Sequence, residues 1–136
     1  MAPEIEIQLE QVHGYRCHDT RNNIRYTQSG DIVYHAASVG IVKGKKKDDL
    51  QKFFFGHTDD ITCIDSYDSY IATGQMGENP IVHIWDSRNQ NSKAIIRKSL
   101  RKGISHLSFS PDGKKLAVCC MDEHHSISIF DISKVL

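Results

Sequence analysis

A punctuated unit between Gly56-His57 and Trp85-Asp86 constrains this chain more than any other feature. It follows the apolar run Phe53-Phe54-Phe55 and holds two short β-rich runs, one around Ile61 and Cys63 and one from Tyr70 to Thr73. It closes on Ile81-Val82-His83-Ile84-Trp85-Asp86. A looser copy follows. Ser110-Pro111-Asp112-Gly113 reads as a tight turn feeding a strand, and Ile127-Ser128-Ile129-Phe130-Asp131 closes the copy with Phe-Asp in place of Trp-Asp. Ile104 lies 43 residues after Ile61, and Asp131 lies 45 after Asp86. No window carries the sustained three-four apolar spacing of an amphipathic helix, so the expectation is all-β.

A Gly-His opening, a Trp-Asp closure and a period of ~40–45 residues resemble the repeats of WD-repeat β-propellers, in which each repeat supplies one blade. Blades of that type carry a hydrogen-bonded chain of His, Ser or Thr, Trp and Asp. The matching residues here are His57, Thr73 and Trp85, read as structural staples and not as catalytic groups, because buried donors must find acceptors. No Asp stands in the turn before Ile81, where Glu78 and Asn79 are nearest, so the fourth member is open. In the second copy Ser99-Leu100 stands where Gly-His would. The 136 residues allow about three blades, whereas closed propellers have roughly four to eight. The expectation is an incomplete propeller, either belonging to a longer one or completed by another polypeptide. Its units are residues 1–23 as an entry segment, 24–50 as a partial blade, 51–92 as the clear blade and 93–136 as the degenerate one.

Basic and acidic residues both number 17. That balance argues against a dedicated nucleic-acid binder. No apolar run approaches the ~20 residues of a membrane span, and the start, Met1-Ala2-Pro3-Glu4, lacks the basic and apolar regions of a secretory signal. Cys17, Cys63, Cys119 and Cys120 show neither disulfide spacing nor a metal clip, which fits reduced thiols in the cytoplasm. Residues 1–11 alternate acidic and apolar, clearest from Glu4 to Glu10, and read as a strand with one wet face. Residues 12–23 read as irregular, 24–27 and 31–37 as a hairpin around Gln28-Ser29-Gly30, 39–42 as a further strand, 43–49 and 87–92 as loops, and 93–100 as a strand ending in basic residues.

The stretch Val12-His13-Gly14-Tyr15-Arg16, followed by Arg21-Asn22-Asn23, resembles the echinoderm microtubule-associated protein-like family, where Gly-Tyr-Arg and Arg-Asn-Asn end a hydrophobic motif ahead of the WD repeats. The likeness continues through Ile32-Val33-Tyr34, Val39 to Val42, Phe54 to Ile61, Ile71 to Gln75 and Ile84 to Ser87. Gln11 and His13 depart from the Trp and Tyr usual there, and the tail of the motif is the part that matches. The resemblance implies a non-enzymatic scaffold, without cofactor or metal, that binds tubulin or microtubules. It implies the cytoplasm and cytoskeleton, the axoneme of a cilium, and cytoskeletal or ciliary protein partners. The alternative is a general WD-repeat adaptor that assembles other proteins and ignores microtubules.

Two basic clusters suit an acidic tubulin surface. Lys43, Lys45, Lys46 and Lys47 form one, diluted by Asp48-Asp49; Arg97, Lys98, Arg101 and Lys102 form the other. Such attraction falls with ionic strength, and the plain alternative for each is a solvated loop. Three further patterns fail. Gly40 to Lys46 has three residues between its glycines instead of four and lacks the Ser or Thr of a phosphate loop. Cys17-His18-Asp19 are neighbours, and catalytic trios converge from distant positions. Cys119-Cys120 with His124-His125 alternate across strand faces and read as a widened turn, not a zinc site.

Overall fold

The computed structural model describes residues 4–136. Eleven strands and no helix occur among them: β1 (Arg25–Tyr26), β2 (Ile32–Ala36), β3 (Val39–Lys43), β4 (Gln51–Phe54), β5 (Ile61–Tyr67), β6 (Tyr70–Gln75), β7 (Val82–Asp86), β8 (Ser92–Ile96), β9 (Ile104–Phe109), β10 (Lys115–Cys120) and β11 (Ile127–Asp131). They form three antiparallel meanders, β1-β2-β3-β4, β5-β6-β7-β8 and β9-β10-β11, here called sheets 1, 2 and 3. This is an incomplete WD-repeat propeller. Sequence units and sheets are staggered by one strand, since β4 and β8 each complete the sheet before the unit that follows them.

The repeat period is also the stacking period. Ile61 and Ile104 are fully buried at the first positions of β5 and β9, the inner strands of sheets 2 and 3. Hydrogen bonds between sheets join residues one repeat apart. The Thr62 hydroxyl donates to the Ile104 carbonyl. Asp65 accepts from Arg25 Nε at 3.2 Å and from the Phe109 amide at 2.7 Å, so one carboxylate ties β1, β5 and β9 together.

Because strand side chains alternate, each sheet offers one face to each neighbour. Sheet 2 turns Ile64, Ile71 and Trp85 toward Val33, Val42 and Phe54 of sheet 1. Its other face sets Cys63, Ala72, Val82 and Ile84 against Leu107, Leu116 and Val118 of sheet 3. Glycine permits the closest approaches: a Cβ at Gly40 would stand 2.9 Å from the Trp85 ring, and one at Gly74 would stand 2.7 Å from Ile104.

The strand expected over residues 1–11 is corrected for residues 4–11, residues 1–3 lying outside the described residues. Residues 4–24 carry no strand, and Ile5, Ile7 and Leu9 are exposed. Alternation makes the segment competent for pairing, but here it is tied beside the β4 edge of sheet 1 only through the Gln51 side chain at Val12 and forms no ladder among the described residues. The Gly-Tyr-Arg and Arg-Asn-Asn residues instead build a hydrogen-bonded knot. The Arg16 carbonyl accepts from the Thr20 hydroxyl at 2.9 Å and from the Asn23 amide, while the Arg16 guanidinium grips Asp19 and reaches Asp60 at 2.8 Å. Asp60 leads into β5, so the knot fastens the entry segment to sheet 2.

Candidate functional site

The seam between sheets 1 and 2 brings His57, Thr73 and Trp85 into one buried chain. The Trp85 indole N–H donates to the Thr73 hydroxyl at 3.1 Å, and Thr73 lies 2.7 Å from His57 Nε2. His57 Nδ1 lies 2.8 Å from Gln75 Oε1, and Gln75 Nε2 donates to the Thr58 hydroxyl at 3.1 Å. With the Gln75 oxygen facing it, Nδ1 carries the proton, so Nε2 accepts from Thr73. Gln75, two residues past Thr73 on the same strand face, takes the place that the sequence left open between Glu78 and Asn79. The network holds no charge, and every link is filled.

Aromatic packing surrounds it. Phe54 stacks on Trp85 with centroids 4.7 Å apart and planes 4° from parallel, and the His57 and His83 rings meet edge to face at 4.8 Å. Burial pushes the His57 pKa down to about 4 against the opposing pull of the Gln75 hydrogen bond, so the ring is neutral at pH 7. His35, also down at about 4 through burial, has both ring nitrogens enclosed without a partner. The Cys63 thiol is pushed up to about 12 by burial, which keeps it from acting as a nucleophile.

Asp19 faces Arg16, which holds its carboxyl below the usual range, while Cys17 and His18 stand exposed. Asp122 spends both oxygens on Ser126, at 2.7 and 2.5 Å, capping the turn that carries His124 and His125. The Gly40 to Lys46 stretch is the end of β3 and a loop.

Strand pairing fixes where the basic clusters lie. Lys43 pairs with Ile32 and Gln51, at the end where Tyr26 is linked to Ser66 and Gln28 to Asp68. Call this the Lys43 rim; Tyr67, Tyr70 and Asp86 meet on it. Ile96 pairs with Val82, at the opposite end, so Arg97, Lys98, Arg101 and Lys102 project from the other rim. The two clusters therefore do not share a surface.

Their local chemistry also differs. Lys43 Nζ donates to the carbonyls of Lys46, Lys47 and Asp49 at 2.8, 3.3 and 2.5 Å, which makes it the loop's staple. Lys45, Lys46 and Lys47 are exposed. On the opposite rim Lys102 lies 3.9 Å from Glu123, and a cleft of about 510 Å³ mixes Arg101, Lys102 and His124 with Glu78, Asp122 and Glu123.

Comparisons with known proteins match this architecture. Residues 2–41 match the HELP motif, and residues 48–86 and 94–131 match the WD domain, G-beta repeat. The chain is 34% identical, over 98% of its length, to the ciliary WD repeat-containing protein ctxp80 of Euplotoides octocarinatus. It is 32% identical over 97% of its length to human echinoderm microtubule-associated protein-like 1, and 30% identical over 97% to human echinoderm microtubule-associated protein-like 2. It spans about a fifth of these relatives, 21%, 18% and 22% of their respective lengths. With the WD model covering more than half of its residues and a HELP motif leading into them, the chain belongs to the WD-repeat family, in the HELP-bearing group that the echinoderm microtubule-associated protein-like proteins represent.

Proposed function

We propose that this chain is part of a non-enzymatic, microtubule-associated scaffold whose Lys43 rim meets the acidic surface of tubulin. The observation that carries this reading is the loop 43–49, where Lys43 is spent internally as a staple and leaves Lys46 and Lys47 exposed at a blade end, with exposed Lys45 laid over Gly30. A loop whose backbone is already stapled costs less ordering on contact, and the pull of its charges is screened by salt. Because the second cluster lies on the other rim, one flat acidic partner meets only one of them. Arg101 and Lys102 share their cleft with Glu78, Asp122 and Glu123, which dilutes that rim's positive charge and favours the loop 43–49 for the lattice contact. A non-catalytic role is supported by the neutral, fully bonded His57 and the suppressed Cys63 thiol. Relatives whose names carry "microtubule-associated" and "ciliary" support the cytoskeleton, including the ciliary axoneme, as the setting, with other cytoskeletal proteins as further partners.

Co-sedimentation with stabilised microtubules across a salt series tests the reading. Lys45→Gln, Lys46→Gln and Lys47→Gln together should lower binding about tenfold at low salt, and neutralising Arg101 and Lys102 should change it little. Equal pelleting of the triple variant removes the loop from the contact. No pelleting of the unaltered protein at low salt leaves the adaptor that assembles other proteins.

A further inference from the structure

Two features remain unused by the fold and by the proposed lattice contact, and they complement each other. The first is the segment 4–10, Glu-Ile-Glu-Ile-Gln-Leu-Glu, which has strand alternation, pairs with nothing and leaves Ile7 92% exposed. The second is β8, the outer edge of sheet 2, whose sequence Ser92-Lys93-Ala94-Ile95-Ile96 continues into Arg97-Lys98. Among the described residues, its side away from β7 has no partner strand. Positive charges on such an edge repel another copy of the same edge, which is a common protection against aggregation. They attract an acidic strand.

We infer that residues 4–10 of one copy of this chain add to β8 of a second copy as an antiparallel edge strand. One register satisfies both faces. With Glu10 opposite Lys93, Gln8 falls opposite Ile95 and Glu6 opposite Arg97. On the other face Leu9 meets Ala94 and Ile7 meets Ile96. Ala94 and Ile96 are cross-strand neighbours of Ile84 and Val82 and pack on the aliphatic core of sheets 2 and 3, so Leu9 and Ile7 extend that core. A slip of one residue would set Glu6 and Glu10 against the apolar face, which penalises the alternatives.

The donor reaches a second copy because of how it is anchored in its own. Val12 is held by both ends of the Gln51 amide, its N–H donating to Oε1 at 2.7 Å and its carbonyl accepting from Nε2 at 3.0 Å. Gln51 alternates with Phe54, which faces sheet 2, so the anchor lies on the face of sheet 1 turned away from β8. From there residues 6–9 run beside exposed Phe55, lining a groove of about 530 Å³ with it. Each copy thus carries one donor and one acceptor, and reciprocal exchange closes a dimer.

Sedimentation equilibrium of the full chain over a concentration series tests this. Self-association is expected, and Glu6→Arg with Glu10→Lys should weaken it roughly tenfold through two reversed cross-strand pairs. Adding Arg97→Glu and Lys93→Glu to that variant should restore it. All four positions are exposed, so the fold is not at stake. A monomer at every concentration, or association indifferent to the charge reversal, would overturn the inference. So would a monomer whose residues 4–10 are protected from hydrogen exchange, since that segment would be paired within its own copy.

Discussion

The two seams of this molecule use the same positions for different physics. In the seam between sheets 1 and 2, sheet 2 contributes His57, Thr73, Gln75 and Trp85. One repeat later, in the seam between sheets 2 and 3, the residues at those positions are Leu100, Val118, Cys120 and Phe130. Leu100, Val118 and Cys120 are buried in one aliphatic cluster against which Phe130 packs. The polar version specifies a single arrangement, because each buried donor and acceptor must meet its partner or lose roughly 1–3 kcal/mol. The apolar version is held by area alone and tolerates shape changes that conserve volume. A degenerate repeat is therefore not a weak blade. It has exchanged a directional lock for a non-directional one.

The largest expected difference between the seams comes from the aromatic anchor. Trp85→Ala removes a fully buried ring stacked on Phe54 and should cost about 3–5 kcal/mol in urea unfolding. Phe130→Ala, at a partly buried position, should cost roughly half as much. Equal losses would mean that the polar seam is no more tightly specified than the apolar one.

Exchanging the central residues breaks each seam for an opposite reason. Thr73→Val leaves the Trp85 N–H and His57 Nε2 unpaired and should cost about 3 kcal/mol. Val118→Thr buries a hydroxyl among Leu107, Leu116 and Cys120 and should cost about 1–3 kcal/mol. Introducing Leu100→His, Val118→Thr, Cys120→Gln and Phe130→Trp together should cost less than the four separate changes summed. Strict additivity would show that the polar chain does not form as a unit.

Acid should separate the seams next. His35 and His57 have folded pKa values of about 4, below the ordinary 6.5, so the unfolded chain binds protons that the folded one refuses. Their contribution is complete above about pH 6.5 and is lost as pH falls from there toward 4. Between pH 7 and pH 5 each should cost about 2 kcal/mol. His35→Val, which removes two unpartnered nitrogens, should shrink the acid loss by about that amount. Hydrogen exchange should show sheet 1 loosening from sheet 2 before sheet 2 loosens from sheet 3, whose buried cluster has no histidine. An unchanged acid loss in His35→Val would place the titrating group elsewhere.

Much of this was legible in the sequence, and the reasons for the gaps are specific. Ile61 with Ile104 and Asp86 with Asp131 already marked corresponding strand ends, because stacking repeats its contacts at the repeat period. His57, Thr73 and Trp85 were readable as candidates through spacing. Gln75 was not, since the blade pattern places an acid in the following turn, whereas His57 Nδ1–H needs only an acceptor. Its location two residues beyond Thr73, on the same strand face, was the available clue. The strand reading of residues 4–10 failed because alternation reports competence for pairing and says nothing about a partner edge. The opposite placement of Lys45 to Lys47 and Arg97 to Lys102 follows from strand parity. One loop leaves the third strand of a meander and the other leaves the fourth, and antiparallel strands reverse ends at every turn.

Gln75→Glu is the mildest test of the comparison and the most selective. The carboxylate can still accept from His57 Nδ1–H and from the Thr58 amide, but it can no longer donate to the Thr58 hydroxyl. At pH 7 the His57 ring is still neutral, so the buried carboxylate relies on the two hydrogen bonds it accepts, and stability should fall by about 1–2 kcal/mol. A negative charge beside the ring favours the imidazolium, so the His57 pKa should rise from about 4 toward its ordinary value, and the acid loss assigned to this residue should shrink with it. Proton NMR titration of the His57 ring reads this directly. The matching change in the apolar seam, Cys120→Glu, offers no imidazole at position 100 and should instead be strongly destabilising, since an unpaired buried carboxylate has nothing to charge against. A His57 pKa that stays near 4 in Gln75→Glu would show that residue 75 is not its hydrogen-bond partner, and the uncharged lock would need a different fourth member.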